Sequence, residues 1–282
     1  MESGNLPVDG GSLYYEMHGN HGPPFLLIAG GSGTTTMCSR LAITLATHFR
    51  VISYDRRGTP RSCPFHLPRH SDTLRTHAED AATLLMRKFP GIPAIIFTTS
   101  GSTAIALELV NLFPDLVSKV VLHEPILYSF LSVGQRKIVD TKTQEALQAY
   151  RKFGVAEANS VFLPLFQIKR DSNALKTISM SEYPGSTMPT SWKSYYEHEL
   201  PAIVDYAPNP DSLARTHLKI YVVEGSVEVP AFVQETILGV SELLGRPPCR
   251  IAWDHVGYAT HAEFRGSLIT LLFNGNGGKA NL

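Results

Sequence analysis

The feature that most constrains the fold is a series of short, continuously apolar runs rich in β-branched residues, separated by sequence with helical spacing. The runs lie near residues 25, 49, 93, 117, 218 and 249 and read FLLIAGG, FRVISYD, PAIIFTT, VSKVVLHEP, LKIYVVEG and CRIAWDH. Continuous rather than alternating apolarity indicates strands that are covered on both faces. The sequence therefore predicts a doubly wound α/β fold, a mostly parallel sheet with helices on both faces.

Two stretches depart from this alternation. Residues 13–17 are short and flanked by glycines, which favours part of an antiparallel hairpin at the sheet edge. Residues 127–214 contain no run of comparable strength, and their apolar residues recur with helical spacing. We therefore expect a core formed by residues 1–126 and 215–275, with a helical cap at 127–214 inserted between two strands. The polar, glycine-rich end, residues 276–282, is expected to be disordered.

Charge and cysteine content narrow the expected partners. Lysine plus arginine and aspartate plus glutamate both number 25, without a basic stripe, so neither nucleic acid nor a membrane is an expected partner. The first residues lack the pattern of a secretory signal, which predicts a cytoplasmic protein. Three cysteines without CxxC spacing favour ordinary thiols. We expect a small, fairly neutral ligand, no cofactor and no metal, and leave a homodimer open.

The sequence TTSGS, residues 98–102, lies where the third apolar run ends and an amphipathic helix begins. Ligands of open α/β sheets bind beyond the carboxyl ends of the strands, so this corner is a candidate site. A serine on a sharp strand-to-helix turn exposes its hydroxyl, and the following amide can face a developing oxyanion. Ser100 stands at the strand end with small residues two positions away. A register centred on Ser102 also has small flanks, and a serine-rich helix N-cap is the plain alternative.

A nucleophilic serine needs a base, and the base needs a carboxylate that orients it. His255 follows the last apolar run, where a chain order of serine, acid and histidine puts the base. Two acids compete for the orienting role. Glu124 ends a strand, and Pro125 behind it turns the chain away. Glu228 lies three residues beyond Gly225, where an acid commonly follows this strand in such folds.

The first core run ends in a glycine-rich loop, GGSG, residues 30–33. Glycine lets the backbone approach a ligand without obstruction, so this loop is a candidate for the second amide of an oxyanion hole, beside that of Gly101. A dinucleotide-binding loop is the alternative, with Asp55 as the ribose-binding acid. The loop lacks GxGxxG spacing, and this alternative leaves His255 unexplained.

Together these segments resemble the α/β-hydrolase superfamily over essentially the whole chain. The segments that match in order and approximate spacing are LLIAGGSG, FRVISYDRRGTPRS, FTTSGSTAIALELVNLFPDLVSKVVLHEP, YVVEGSVEVP, WDHVGY and AEFRGSLITLL. Counting back from Pro114 along the helix places the nucleophile at Ser100 rather than Ser102. The HEP segment further resembles fungal lactone hydrolases of the zearalenone-degrading type and related uncharacterised hydrolases, in which the acid is that glutamate.

The resemblance implies a serine hydrolase of carboxylesterase or lactonase type that cleaves a small hydrophobic ester or lactone through an acyl-enzyme. The roles carried onto this sequence are Ser100 as nucleophile, His255 as base, Glu124 as orienting acid with Glu228 as its alternative, and Gly31 and Gly101 as oxyanion amides. Lyase, cyclase or C–C bond chemistry at the same site, and a non-catalytic binding protein, remain alternatives.

Two residues depart from the family pattern. Thr98 and Ser102 stand two residues before and after the nucleophile, at the positions on this sharp turn where the family usually has glycine. We therefore expect a crowded turn or an altered oxyanion pocket. Three aromatic residues of the expected cap, Trp192, Tyr195 and Tyr196, either line an apolar substrate pocket or pack the cap against the core.

Overall fold

Eight strands form one sheet in the computed structural model, which describes residues 1–31, 33–62, 69–166, 191–227 and 229–274. The strands are β1 (Glu2–Val8), β2 (Gly11–His18), β3 (Pro24–Ile28), β4 (Arg50–Tyr54), β5 (Ala94–Thr99), β6 (Val117–His123), β7 (Ile220–Gly225) and β8 (Cys249–Ile251). Their order across the sheet is β1-β2-β4-β3-β5-β6-β7-β8. β1 and β2 form an antiparallel hairpin, β2 is antiparallel to β4, and every other neighbouring pair is parallel.

The strand predictions are confirmed. Each of the six apolar runs overlaps one of the strands β3 to β8, and residues 13–17 lie in the antiparallel hairpin at the sheet edge. The sheet is mostly parallel, as continuous apolarity indicated.

Helices surround the sheet. They are α1 (Thr35–Leu45), α2 (Thr73–Lys88), α3 (Thr103–Leu112), α4 (Val133–Phe153), α5 (Val155–Phe162), α6 (Ser191–Ser194), α7 (Leu200–Asp205), α8 (Pro210–Thr216), α9 (Ala231–Leu243), α10 (Gly257–Thr260) and α11 (Ala262–Asn274). A π-helical turn, Tyr195–Glu199, joins α6 to α7. In the described ranges, none of the helices has the length and apolar character that crossing a bilayer requires.

Alternate residues of the central strands face opposite sides of the sheet, and both sides are packed. On β3, Leu26 and Ile28 share an apolar cluster with α2 and α3, whereas Phe25 and Leu27 share one with α1 and α11. All four side chains are fully buried. Burying a side chain of this size contributes about 1.5–3 kcal/mol to the stability of the folded protein. Two packed faces explain why these strands carry no alternating polar positions.

The chain between β6 and β7 is helical in its described parts, with α4 to α8 and no strand in residues 124–166 and 191–219. This agrees with the helical spacing of its apolar residues. The division of the chain into a core and a cap at 127–214 remains a prediction. The expected disordered tail, residues 276–282, lies outside the described residues.

A buried ion pair fastens the loop after β4 to α2. The Arg57 guanidinium donates two hydrogen bonds to Asp80, Nε to Oδ2 at 2.7 Å and Nη2 to Oδ1 at 2.6 Å. Burial raises the pKa of Asp80, and Arg57 opposes that rise. A buried charge that loses its partner is strongly destabilising. The pair therefore fixes the loop that also carries Arg56.

Asp80→Ala is expected to lower the free energy of unfolding by about 3–5 kcal/mol, because it leaves Arg57 buried without its carboxylate. The matched control is Glu79→Ala on the same helix. It removes an exposed ion pair with Arg75 and is expected to cost less than about 0.5 kcal/mol. Urea denaturation measures both variants, and equal losses contradict the role given to the Arg57–Asp80 pair.

Candidate active site

Three strands end in backbone corners that glycine adopts more easily than other residues. Among the described residues, the non-glycine residues with a positive φ are Ser100 at 60°, Glu124 at 41° and Trp253 at 80°. They follow β5, β6 and β8 respectively. Such a conformation costs about 1–3 kcal/mol and persists only where the surrounding structure holds it. The carboxyl edge of the sheet therefore concentrates the backbone strain.

Ser100 forms the corner between β5 and α3. β5 ends at Thr99, a short turn runs from Ser100 to Ser102, and α3 begins at Thr103. The Ser100 carbonyl accepts a hydrogen bond from the Ile126 amide at 3.3 Å, which ties this corner to the chain leaving β6. The sharp strand-to-helix turn predicted at Ser100 is therefore present, and Ser102 lies at the start of the helix.

His255 and Glu124 form a buried, hydrogen-bonded pair. His255 Nδ1 lies 2.7 Å from Glu124 Oε2, although the two residues are 131 positions apart in the chain. A carboxylate beside Nδ1 favours the tautomer that carries its proton there, which leaves Nε2 as a proton acceptor. In the described part of the chain, His255 is hydrogen-bonded to Glu124 and not to Ser100.

Glu124 is held from the neighbouring strand as well. Its Oε1 accepts a hydrogen bond from the Gly225 amide at 3.0 Å, and its own amide donates to the Val223 carbonyl at 2.9 Å. Burial raises the pKa of this carboxyl, but the hydrogen bond and charge of His255, with His123 and the Gly225 amide, outweigh burial and lower the pKa below the ordinary 4.5. Glu124 is therefore ionised at neutral pH. Its contribution to stability is fully present above pH 4.5 and is lost as the pH falls through the lowered pKa.

The glycine loop leaves the sheet beside the Ser100 corner. Ile28, the last residue of β3, is paired with Thr98 of the parallel strand β5. A Cβ built on Gly30 would lie 3.3 Å from the Ser100 Cβ. The structure thus brings the loop and the predicted nucleophile into contact, as an oxyanion hole between them requires.

Both predicted oxyanion residues are covered by the helical segment that follows residue 190. Gly31, with a φ of 46°, lies against the ring of Trp192, so that a Cβ there would be 3.0 Å from Cη2. Gly101 lies against Ile203, so that a Cβ would be 2.9 Å from Cδ1. The same helical segment therefore closes over both glycines.

Thr98 and Ser102, which replace the usual glycines, do not prevent the left-handed turn at Ser100. Thr98 is fully buried within β5, and the following backbone still reaches the left-handed conformation at Ser100. Ser102 is buried, and its hydroxyl donates a hydrogen bond to the Ala29 carbonyl at 2.6 Å. The hydroxyl at 102 therefore bonds the corner to the glycine loop.

An apolar pocket opens beside Gly101. It is lined by Gly101, Ile126, Tyr128, Val139, Phe162, Leu165, Phe166, Tyr195, Leu200, Ile203 and Phe232. Burial raises the pKa of Tyr128 to about 12 and that of Tyr195 well above its ordinary value, so both phenols are neutral at pH 7. The Phe166 ring also stacks on His255, with 5.2 Å between ring centroids. The pocket therefore lies next to both the Ser100 corner and His255.

The three aromatic residues expected in the cap divide between the two predicted roles. Tyr195 lines the pocket, whereas Tyr196 stacks on Trp192 with 5.9 Å between ring centroids. Tyr196 also donates a hydrogen bond to Asn159 Oδ1 at 2.6 Å. Tyr196 is therefore a packing residue of the helical segment.

Asp55 and Glu228 are the two acids that belong to alternative interpretations of the sequence. Asp55, the proposed ribose-binding acid, is buried, pairs with Arg61 Nε at 2.7 Å and accepts the Thr35 amide at 2.8 Å. Its carboxylate is therefore used to hold the start of α1. Glu228, the second candidate for the orienting acid, lies outside the described residues.

A buried ion pair beside the site has no signal in the sequence. Arg56 Nη2 lies 2.6 Å from Glu199 Oε2, and the two residues are 143 positions apart. The arginine stands in the family-like segment YDRRG, but no periodicity or spacing in the sequence joins it to a glutamate of the helical insertion.

A family model described as the alpha/beta hydrolase fold matches residues 23–204. The chain belongs to this family. The resemblance drawn from the sequence is thereby confirmed for the superfamily, and the dinucleotide-binding alternative is wrong.

Individual relatives agree with the family. The hydrolase YraK of Bacillus subtilis, itself uncharacterised, is 27% identical over 279 residues, which cover 96% of each chain. An enol-lactonase structure from Burkholderia xenovorans matches with a TM-score of 0.69 and 18% identity, covering 96% of this chain and 100% of that one. A carboxylesterase structure from Nitrososphaera gargenis has a TM-score of 0.72 and 16% identity, covering 98% and 99%. The family and the YraK relative support hydrolase as the enzyme class, and the two solved structures share the fold.

Gly225→Ala is expected to separate Glu124 from His255. A Cβ at this position would collide with the Trp253 carbonyl oxygen and lie 2.6 Å from Glu124 Oε1, so the carboxylate or the backbone that leads to His255 must shift. We expect the low-field proton resonance of His255 Nδ1–H to disappear from the NMR spectrum. The control is Gly266→Ala on α11, which has open space around it and is expected to keep that resonance. A Gly225→Ala protein that is folded and retains the resonance contradicts the role given to this glycine.

Proposed function

We propose that this alpha/beta hydrolase is a serine hydrolase that cleaves an ester or lactone of a small hydrophobic molecule through an acyl-enzyme. The observation that carries the proposal is the buried Glu124–His255 pair on the same edge of the sheet as the left-handed corner at Ser100. A nucleophile on a sharp corner, a base and an orienting carboxylate are the groups that acyl transfer needs.

In the acylation step, Ser100 Oγ attacks the carbonyl carbon of the ester while His255 Nε2 accepts the serine proton. Glu124 stabilises the imidazolium that forms, because its carboxylate is hydrogen-bonded to Nδ1 of His255. The amides of Gly31 and Gly101 donate to the oxyanion. The tetrahedral intermediate then breaks its C–O bond, and the leaving alkoxide takes the proton from His255.

In the deacylation step, water attacks the acyl carbon and His255 accepts a proton from it. Collapse of the second tetrahedral intermediate breaks the bond to Ser100 Oγ, which takes the proton back. With a lactone, the oxygen released in acylation remains on the acyl group as a hydroxyl throughout, so the product is a single hydroxy acid. Each oxyanion amide contributes on the order of 3 kcal/mol to the lowering of the barrier.

The pocket beside Gly101 supports a hydrophobic substrate. No lining side chain is charged at neutral pH, and five of the lining residues are phenylalanine or isoleucine, namely Ile126, Phe162, Phe166, Ile203 and Phe232. A charged group on the substrate would lose its hydration there without a partner. The esterase and lactonase among the structural neighbours support ester chemistry.

Treatment with a fluorophosphonate probe is expected to give an adduct on Ser100, measured by mass spectrometry of the digested protein. Ser100→Ala is expected to abolish the adduct and to lower kcat on p-nitrophenyl butyrate at least about 1000-fold. Ser102→Ala is the matched control and is expected to retain the adduct, because Ser102 supplies no nucleophile. A folded protein without an adduct on Ser100 contradicts the proposal.

Glu124→Gln is expected to lower kcat by about 100- to 10,000-fold, because the amide no longer fixes the tautomer of His255 or stabilises its cation. Glu228→Gln is expected to have a much smaller effect. The comparison uses kcat on the same ester at pH 7, with circular dichroism to establish that each variant is folded. The reverse order of effects transfers the role of orienting acid to Glu228.

Lyase, cyclase or C–C bond chemistry would use the same corner with a different bond broken. A protein that labels on Ser100 but hydrolyses neither aryl esters nor macrolactones favours one of these alternatives. A folded protein that does neither favours a binding protein of the alpha/beta hydrolase fold.

A further inference from the structure

Arg56 bonds to three carbonyl groups of residues 29–33, two through its guanidinium and one through its backbone amide. Nη1 donates to the Ala29 carbonyl, Nη2 donates to the Gly31 carbonyl at 2.9 Å, and the Arg56 amide donates to the Gly33 carbonyl at 2.9 Å. The guanidinium fills the space beside Gly33, where a Cβ would lie 2.5 Å from Cζ. The guanidinium therefore bonds to the Ala29 and Gly31 carbonyls and packs against Gly33.

Holding a carbonyl also fixes the amide of the same peptide, because the two point in opposite directions across a planar trans bond. The Ala29 carbonyl shares its peptide with the Gly30 amide. The Gly30 carbonyl shares its peptide with the Gly31 amide and accepts the Gly33 amide at 3.0 Å. The direction of the Gly31 amide thus follows from a loop conformation that Arg56 holds on either side.

The same guanidinium also contacts Ser102 beside the Ser100 corner and Glu199 in the helical segment that follows residue 190. Nη1 lies 3.2 Å from Ser102 Oγ, which itself donates to the Ala29 carbonyl. Nη2 and Nε donate to the carboxylate of Glu199, at 2.6 Å and 3.1 Å. Glu199 ends the π-helical turn that begins with the pocket residue Tyr195. Arg56 therefore bonds the loop, the Ser100 corner and a wall of the pocket to one another.

The charges of this cluster balance. Arg56 and Glu199 are both buried. His77 Nε2 lies 3.6 Å from Glu199 Oε1, and burial lowers the pKa of His77 to about 4, so it is neutral at pH 7. A buried ion pair is weak evidence for stability, since apolar residues of similar volume often replace one without loss. The carbonyls that Arg56 bonds are a better reason for its presence.

We propose that Arg56 is a positioning residue that, anchored by Glu199, holds the glycine loop in the conformation that directs its amide at the oxyanion. The inference rests on the proposed serine hydrolase function. Arg56 itself does not touch the reacting atoms, so its effect is on the rate of the chemical steps more than on substrate binding.

Arg56→Lys tests the proposal, because lysine keeps the charge facing Glu199 but cannot reproduce the planar fork of donors. On p-nitrophenyl butyrate we expect kcat to fall about 10- to 100-fold, less than or comparable to the loss of one oxyanion donor, with KM changed less than about threefold. Amide hydrogen exchange, measured by mass spectrometry, is expected to be faster in peptides that cover residues 29–33.

The control is Arg75→Lys on α2, which alters an exposed ion pair with Glu79 and makes the same type of substitution away from the loop. It is expected to leave kcat and exchange in residues 29–33 as in the wild type. Equal losses of kcat in the two variants, a rise in KM with unchanged kcat, or unchanged exchange in Arg56→Lys overturns the proposal.

Ser102→Ala covers the case in which Arg56→Lys does not fold, because it removes only one link between Arg56, the corner and the Ala29 carbonyl. We expect kcat to fall about 3- to 10-fold, in line with the loss of one hydrogen bond, and exchange in residues 29–33 to rise. A wild-type rate with unchanged exchange overturns the proposal. If wild-type protein neither labels on Ser100 nor hydrolyses esters, the proposed function fails, and the exchange results alone decide whether Arg56 holds the loop.

Discussion

The site depends on two left-handed corners that neighbouring strands hold side by side. Ser100 and Glu124 directly follow β5 and β6, and the last residues of these strands, Thr99 and His123, are paired in register. The bond between the Ile126 amide and the Ser100 carbonyl joins the two corners above the sheet. Strain of about 1–3 kcal/mol at each corner is tolerated because the strands beneath are rigid and packed on both faces.

The strands and the candidate catalytic residues could largely be predicted from the sequence, because the patterns that indicate them are local. Continuous apolar runs specify strands buried on both faces, and the place where a run stops marks the edge at which ligands bind. Ser100, Glu124 and His255 each follow such a stop within a residue or a few. The pairing of Glu124 with His255 was one of two options from the sequence, and the structure brings these two together. The strand pairing that sets their distance is tertiary information.

The contacts around Arg56 could not be read in the same way. Glu199 is 143 residues away and lies in a helix whose apolar spacing predicts only that it is helical. Ser102 looked like a flaw in a glycine pattern, yet its hydroxyl satisfies the Ala29 carbonyl. Sequence patterns report what each element buries, whereas these residues matter for which carbonyls and carboxylates they meet after the elements are packed.

The position of Glu199 also constrains how such an enzyme can diversify. It lies between Tyr195 and Leu200, which line the pocket, while its own carboxylate faces Arg56. A change of pocket shape along this stretch therefore shifts the anchor of the glycine loop as well. Val139 and Phe162, on α4 and α5, line the same pocket from helices that lack this connection to Arg56 among the described contacts. Substitutions at Val139 and Phe162 can therefore change the shape of the pocket without shifting the anchor of the glycine loop.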